Sequence, residues 1–277
     1  MRKLLRADFA RLKVSKTFWL TLAGLLAVCF YLIFDIYTWK MYHPDVEQYF
    51  ENDFFNYAAF LGFCCAIIVG MVTGSDYSDG TIRNKLIVGS ERWRIYFSHL
   101  IVTCAVSVTL VIVWCVPMLA IGLPLSDGFH ISNGQVVALI LLSVLTTIAF
   151  GSICLAITLG MQNRTAAVIV AFVVMMVLFC GSMVINGKLN QPEMYAPYVI
   201  TMDGVQTAEL EPNPHYIGGT QREIYQWIDD TLPSGQTIQM ANGADPEHMG
   251  RWPFTSALVI LLSSAIGCAI FERKDIK

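Results

Sequence analysis

Charge is what this chain has least of. Asp, Glu, Lys and Arg make up 14% of its residues, against 55% apolar; a soluble domain carries about 25% charged residues. The shortage is also local. Six stretches, at about 17–34, 57–73, 100–121, 135–160, 165–185 and 254–271, contain no Asp, Glu, Lys or Arg at all. A helix needs roughly 20 apolar residues to cross the hydrocarbon core, and a charge at its centre costs roughly 2.5–3.5 kcal/mol on insertion scales. With a mean hydropathy of +0.56, the chain reads as an all-α membrane protein with six transmembrane helices.

Other absences narrow the chemistry. No G-x-x-x-x-G-K-[ST] is present, so the chain has no P-loop for ATP. H-E-x-x-H and G-x-S-x-G are missing too. The histidines, His43, His99, His130, His215 and His248, fall in loops or at a span edge, whereas a membrane cytochrome needs them inside its helices. The spans likewise lack the carboxylates that proton-coupled transporters use. The external loops hold no cysteine: Cys29, Cys64, Cys65, Cys104, Cys115, Cys154, Cys180 and Cys268 all lie in the spans. That excludes a disulfide framework. Cys64 and Cys65 point about 100° apart on a helix, which argues against a metal or redox pair. No repeat or low-complexity segment is visible. These absences predict no enzyme, no metal and no cofactor on this chain.

The charges that do exist are ordered. With the amino terminus inside, residues 1–16, 74–99, 161–164 and 272–277 face the cytoplasm, and they hold fourteen of the 18 Lys and Arg. Fifteen of the 21 Asp and Glu lie on the other side. Basic excess on short inner segments is the positive-inside rule, so both termini read as cytoplasmic. The first apolar run follows a basic start but is too long for a secretory h-region and lacks an A-x-A-like site. It reads as a retained span.

Residues 1–16 place Leu5, Phe9 and Leu12 at i, i+4 and i+7, with Arg2, Lys3, Arg6, Arg11 and Lys13 mostly on other faces. That pattern fits an amphipathic helix on the inner lipid interface, or a plain basic flank that sets orientation. Residues 35–56 form a short external loop rich in aromatics suited to the headgroup belt, and 161–164 a tight internal turn. Residues 186–253 form a long external loop with nine acids and three bases. Within it, Thr220-Gln221-Arg222-Glu223 matches a capping box, opening a helix whose stripe is Ile224, Trp227, Ile228 and Leu232. Leu232-Pro233-Ser234-Gly235 ends that helix. It would lie either on the outer membrane surface or over the mouth of a pathway. The span hydroxyls, among them Thr103, Ser107, Thr146, Thr147, Ser152 and Thr158, suit close helix packing.

Residues 74–99 are the remaining feature, a charged insert between two apolar runs. Gly74-Ser75-Asp76 leaves the membrane, and Ser78 or Asp79 caps a helix over 81–88. Ile82 and Leu86 share one side of it, Arg83 and Lys85 face outward, and Gly89 ends it. Ser90 caps the next helix, with Trp93 and Tyr96 at the interface. On its own this is either an ordinary loop or a docking element.

The run Asp76-Tyr77-Ser78-Asp79-Gly80-Thr81-Ile82-Arg83-Asn84-Lys85-Leu86 resembles permease subunits of type-2 ABC transporters. The six spans, the amino-terminal helix and the closing Phe271-Glu272-Arg273-Lys274-Asp275-Ile276-Lys277 resemble that family too; the external loop before the last span is longer than in many of its members. The resemblance implies one permease domain over 1–277, with Gly80, Thr81, Ile82, Arg83, Asn84, Lys85 and Leu86 in a coupling helix. It implies two cytoplasmic ATPase subunits carrying ATP and Mg, and a second permease chain, identical or related. It also implies membrane lipid as surroundings, no nucleic acid, and a multi-pass place in a bacterial plasma membrane. The expected function is an exporter subunit. The competing expectation is a non-transporting sensor or scaffold whose external loop is the receptor.

Overall fold

The computed structural model describes residues 1–161, 163–195, 198–201, 204–207, 210–242 and 249–274. The chain is helical almost throughout, and six of its helical segments are long and apolar enough to span a membrane: Lys16–Tyr42, Tyr57–Ser78, Arg92–Leu125, Asn133–Met161, Arg164–Leu189 and Trp252–Arg273. It is an all-α membrane protein.

In chain order, α1 is Arg2–Val14 and α2 is Lys16–Tyr42, whose first turn is capped by the Ser15 hydroxyl accepting from the Phe18 N–H. The short α3 is Phe50–Phe54, α4 is Tyr57–Ser78 and α5 is Thr81–Ile87. The third span, α6 (Arg92–Pro117), passes through a π-helical turn over Met118–Gly122 into α7 (Leu123–Leu125). Pro117 has no N–H to give to the ladder, and the backbone widens there. Then come α8 (Asn133–Met161) and α9 (Arg164–Leu189), the latter capped by Asn163 Oδ1, which accepts from the N–H groups of Thr165 and Ala166.

The middle of the bundle is α4 and α8, around which α2, α6, α9 and the last helix pack. The span hydroxyls serve that packing. Thr103, Ser107, Thr147 and Thr158 each donate to a carbonyl one turn back, and Ser152 Oγ lies 2.7 Å from Ser263 Oγ across the α8–last-helix contact.

Between α9 and the last span the chain forms two small antiparallel ladders: β1 (Met194–Tyr195) with β4 (Glu211–Pro212), and β2 (Tyr198–Thr201) with β3 (Gly204–Thr207). The sequence pattern predicts only loop there. Helices α10 (Gly219–Thr231), α11 (Pro233–Ala241) and α12 (Trp252–Arg273) complete the chain.

Several expectations are corrected. The first spanning helix, α2, runs past residue 34 to Tyr42, so residues 35–42 of the expected external loop are helical. Of its aromatics, Tyr37, Trp39, Tyr42 and Tyr49 are exposed, but Phe50, Phe54 and Phe55 are buried beside Tyr57 and Trp114. Helix α10 is capped at Gly218 with no side-chain bond, so Thr220 lies inside the helix and no capping box forms. Leu232-Pro233 ends α10 but immediately opens α11, because proline fits the first helical position.

Candidate functional site

The insert of residues 74–99 is built differently from its sequence expectation. Helix α4 does not stop at the membrane edge. It carries Gly74, Ser75 and Asp76 within it and ends at Ser78. The chain turns through Gly80, whose φ of 66° lies in the left-handed region that side chains disfavour. Neither Ser78 nor Asp79 caps α5; its N-cap is Gly80. The far end of α5 matches the expectation for Gly89. The Gly89 N–H donates to Leu86 O at 2.9 Å and the Ser90 N–H to Lys85 O at 3.1 Å, with Gly89 at φ 87°. This is a Schellman closure. Helix α6 begins after Glu91, without a side-chain cap from Ser90.

Four elements meet around the Lys85 ammonium. Lys85 Nζ donates to Asp8 Oδ1 of α1 at 2.7 Å and to Asp76 Oδ2 of α4 at 2.9 Å, and stands 3.4 Å from His99 Nε2 of α6. Ser98 Oγ donates to the second Asp8 oxygen at 2.5 Å. Arg11 of α1 pairs with Asp76 Oδ1 at 2.7 Å and Asp79 Oδ2 at 2.8 Å, and donates to Thr81 Oγ1. Burial works against the Asp8 charge. The His99 imidazole, the Lys85 ammonium and the Ser98 hydroxyl outweigh it and hold the carboxyl below the usual carboxylate value. Ligand atoms of Asp8, Asp76 and His99 lie within 4.8 Å of one another, yet Lys85 Nζ sits on the same carboxylates where a metal ion would. The group is an ionic lock.

Two outer anchors extend it. Tyr77 Oη donates to Leu159 O at 2.7 Å, joining the end of α4 to the end of α8. Arg92 Nη1 donates to Phe271 O at 2.9 Å, Glu272 O at 3.1 Å and also Lys274 O, gathering the last carbonyls of α12. Asp275, Ile276 and Lys277 of the closing motif lie outside the described residues.

The residues expected in a coupling helix divide by burial. Ile82 is 0% exposed and Lys85 9%. The reason is the lock, which pulls that face of α5 onto α1 and α4. Leu86 is half-buried against the core. Arg83 and Asn84 do face outward, joined by Ile87 at 73% and Val88 at 85% exposure. Gly80 and Thr81 build the turn that aims them. Tyr96 is fully buried and does not mark the interface, whereas Trp93 is partly exposed. On α1, Leu12 is buried and Leu5 and Phe9 half-buried. The unexpected member of that stripe is Asp8, the only acid among residues 1–34. Its position one turn before Leu12, on the apolar side, was the available signal.

The opposite end of the bundle holds a second polar assembly. Every residue from Pro233 to Met240 of α11 is buried, inserted between α4, α8 and α9. Gln236 fixes it: its Oε1 accepts from Thr146 of α8 at 2.8 Å and Ser256 of α12 at 2.7 Å, and its Nε2 donates to Asp230 O at 2.8 Å. Ser234 Oγ lies 2.7 Å from Ser182 Oγ of α9. Helix α10 is turned inside out for a soluble helix. Asp229 and Asp230 face the bundle, while Ile224, Trp227 and Ile228 face away from it at 54%, 61% and 41% exposure.

A family model described as ABC-2 family transporter protein matches residues 4–185. That span takes in nearly all of α1 and of the first five membrane helices, and the whole Lys85 lock. No curated protein matches the chain.

Proposed function

The chain belongs to the ABC-2 family of transporter proteins, and from that premise we propose that α5 is the element through which a separate ATPase drives it. Membership makes the chain a multi-pass transmembrane subunit of an ABC transporter and implies an ABC ATPase as partner. The coupling reading rests on one observation. The exposed tip of α5, with Arg83, Asn84, Ile87 and Val88, is fastened by buried charges to α1, α4 and α6. Buried ion pairs hold geometry when each charge is matched, so a displacement of the tip is passed to three helices together. Ile87 and Val88 supply an apolar knob for a groove on the ATPase, and Arg83 supplies a charge that fixes its register.

On this reading two ATPase subunits hold ATP and Mg, two permease chains pair in a bacterial plasma membrane, and the cycle exports its cargo. The test is co-purification. Arg83→Glu with Ile87→Asp should leave expression and membrane insertion unchanged and abolish recovery of the ATPase. Unchanged recovery overturns the assignment. Recovery of a stable partner that is not an ATPase would instead favour the sensor or scaffold.

A further inference from the structure

We propose that Asp229 is a proton-binding site that sets how firmly α11 is seated between the spans. Asp229 is 0% exposed and Asp230 2%, on consecutive residues at the end of α10. Gln239 Nε2 of α11 donates to Asp229 Oδ2 at 2.9 Å and reaches Asp230 Oδ1 at 3.3 Å. Asp229 Oδ1 has no hydrogen-bond partner among the described residues. It is aimed at α11: a Cβ built on Gly235 would fall 2.4 Å from Asp229 Oδ1 and 2.2 Å from its carbonyl oxygen. A buried carboxylate oxygen with nothing to accept from is costly, and taking up a proton removes the charge.

The surroundings offer Asp229 no compensating cation among the described residues. Helix α11 carries no ionisable side chain. From α9, Asn186 is neutral, and the Lys188 ammonium lies over the Tyr225 ring, 5.4 Å from its centre. From the α12 side, Arg251 Nη1 approaches Asp230 Oδ2 at 3.9 Å, and the Trp252 indole donates to Asp230 Oδ1 at 3.3 Å. On α10 itself, Arg222 lies over Tyr216 and Gln226 donates to Asp230 Oδ1 at 3.2 Å. The nearest cation therefore stands beside Asp230, and Asp229 is the one that takes the proton. Burial pushes the Asp229 carboxyl up to about 6; Asn186 and Gln239 oppose the shift and Asp230 adds to it.

The sign follows from linkage. A carboxyl whose folded value is raised stabilises the seated state when protonated, and that contribution is lost as pH rises through about 6. By the charge pattern this end of the bundle faces outward, so external acid would tighten α11 and neutral pH would loosen it. The idea does not depend on the ATPase-coupling reading, and loss of ATPase co-purification would leave it untouched.

Deuterium exchange on the full-length protein in lipid nanodiscs tests it. After correction for intrinsic exchange, protection over 233–241 should rise about tenfold from about pH 7.5 to about pH 5, the rise setting in below about pH 6. Asp229→Asn should be flat across the range, at the acid-level protection of the wild type. A flat wild type, or a variant that keeps the rise, overturns the proposal. Infrared titration of the wild type is independent of whether the variant folds. It should show a protonated-carboxyl stretch that disappears near pH 6, and its absence overturns the proposal as well.

Discussion

Two pairs of buried carboxylates stand at opposite ends of this bundle and are treated in opposite ways. Asp8 and Asp76 share the Lys85 ammonium, with Arg11 on the far side of Asp76. Asp229 and Asp230 share the neutral amide of Gln239, with Arg251 only near Asp230. Burial raises the cost of charge in both places. At the first end matched cations offset that cost and make the joint stiff. At the second end it is left partly unmet, so a proton has something to do. One site suits the transmission of force and the other suits response to surroundings.

The largest test of this contrast removes the cation. Lys85→Met should leave Asp8 buried without a cation and Asp76 with Arg11 alone, destabilising the purified subunit by about 3–5 kcal/mol. Thermal unfolding measures it, and a neutral result would mean that the lock is not what holds α1. Next comes neutralisation of one acid at each end. Asp8→Asn should lower the unfolding midpoint at neutral pH, because Lys85 loses a partner. Asp229→Asn should hold or raise it, because an uncompensated charge is removed. Equal shifts of the same sign would erase the comparison.

A third test uses pH alone. The lowered Asp8 value means that its contribution is present above the ordinary carboxylate range and is lost only as pH falls through the folded value. Acidification to about pH 5 should therefore tighten α11 while leaving α1 docked, with release of α1 only below about pH 4. Exchange measured over 2–14 and 233–241 in one titration would separate them. The smallest effect belongs to the tip of α5. Gly89→Ala forces a side chain into φ 87° and should cost about 1 kcal/mol, whereas Ile87→Asp should change stability by less than about 0.5 kcal/mol while removing ATPase binding.

Legibility in the sequence divides along the same line. The spans were readable because each is an uncharged apolar run, and the family resemblance was readable from Asp76 to Leu86. The ends of the helices were not. Helix α4 continues through Gly74, Ser75 and Asp76 because Asp76 meets Lys85 and Arg11, partners that local pattern does not reveal. For the same reason local pattern does not reveal that Ile82 and Lys85 are buried. Helix α11 was hidden altogether. Its sequence, Pro-Ser-Gly-Gln-Thr-Ile-Gln-Met-Ala, looks like a turn. Only the hydroxyls of Thr146, Ser182 and Ser256, arriving from three spans, make it a buried helix.

The Lys85 lock also has a history in time. Asp8 precedes Lys85 by 77 residues and Ser98 by 90. A ribosome has therefore delivered two membrane helices before the first of these partners exists, and must begin the third before the second does. Until then α1 has only the lipid surface to lie on. Its docking waits for the second span to be complete and the third to have begun.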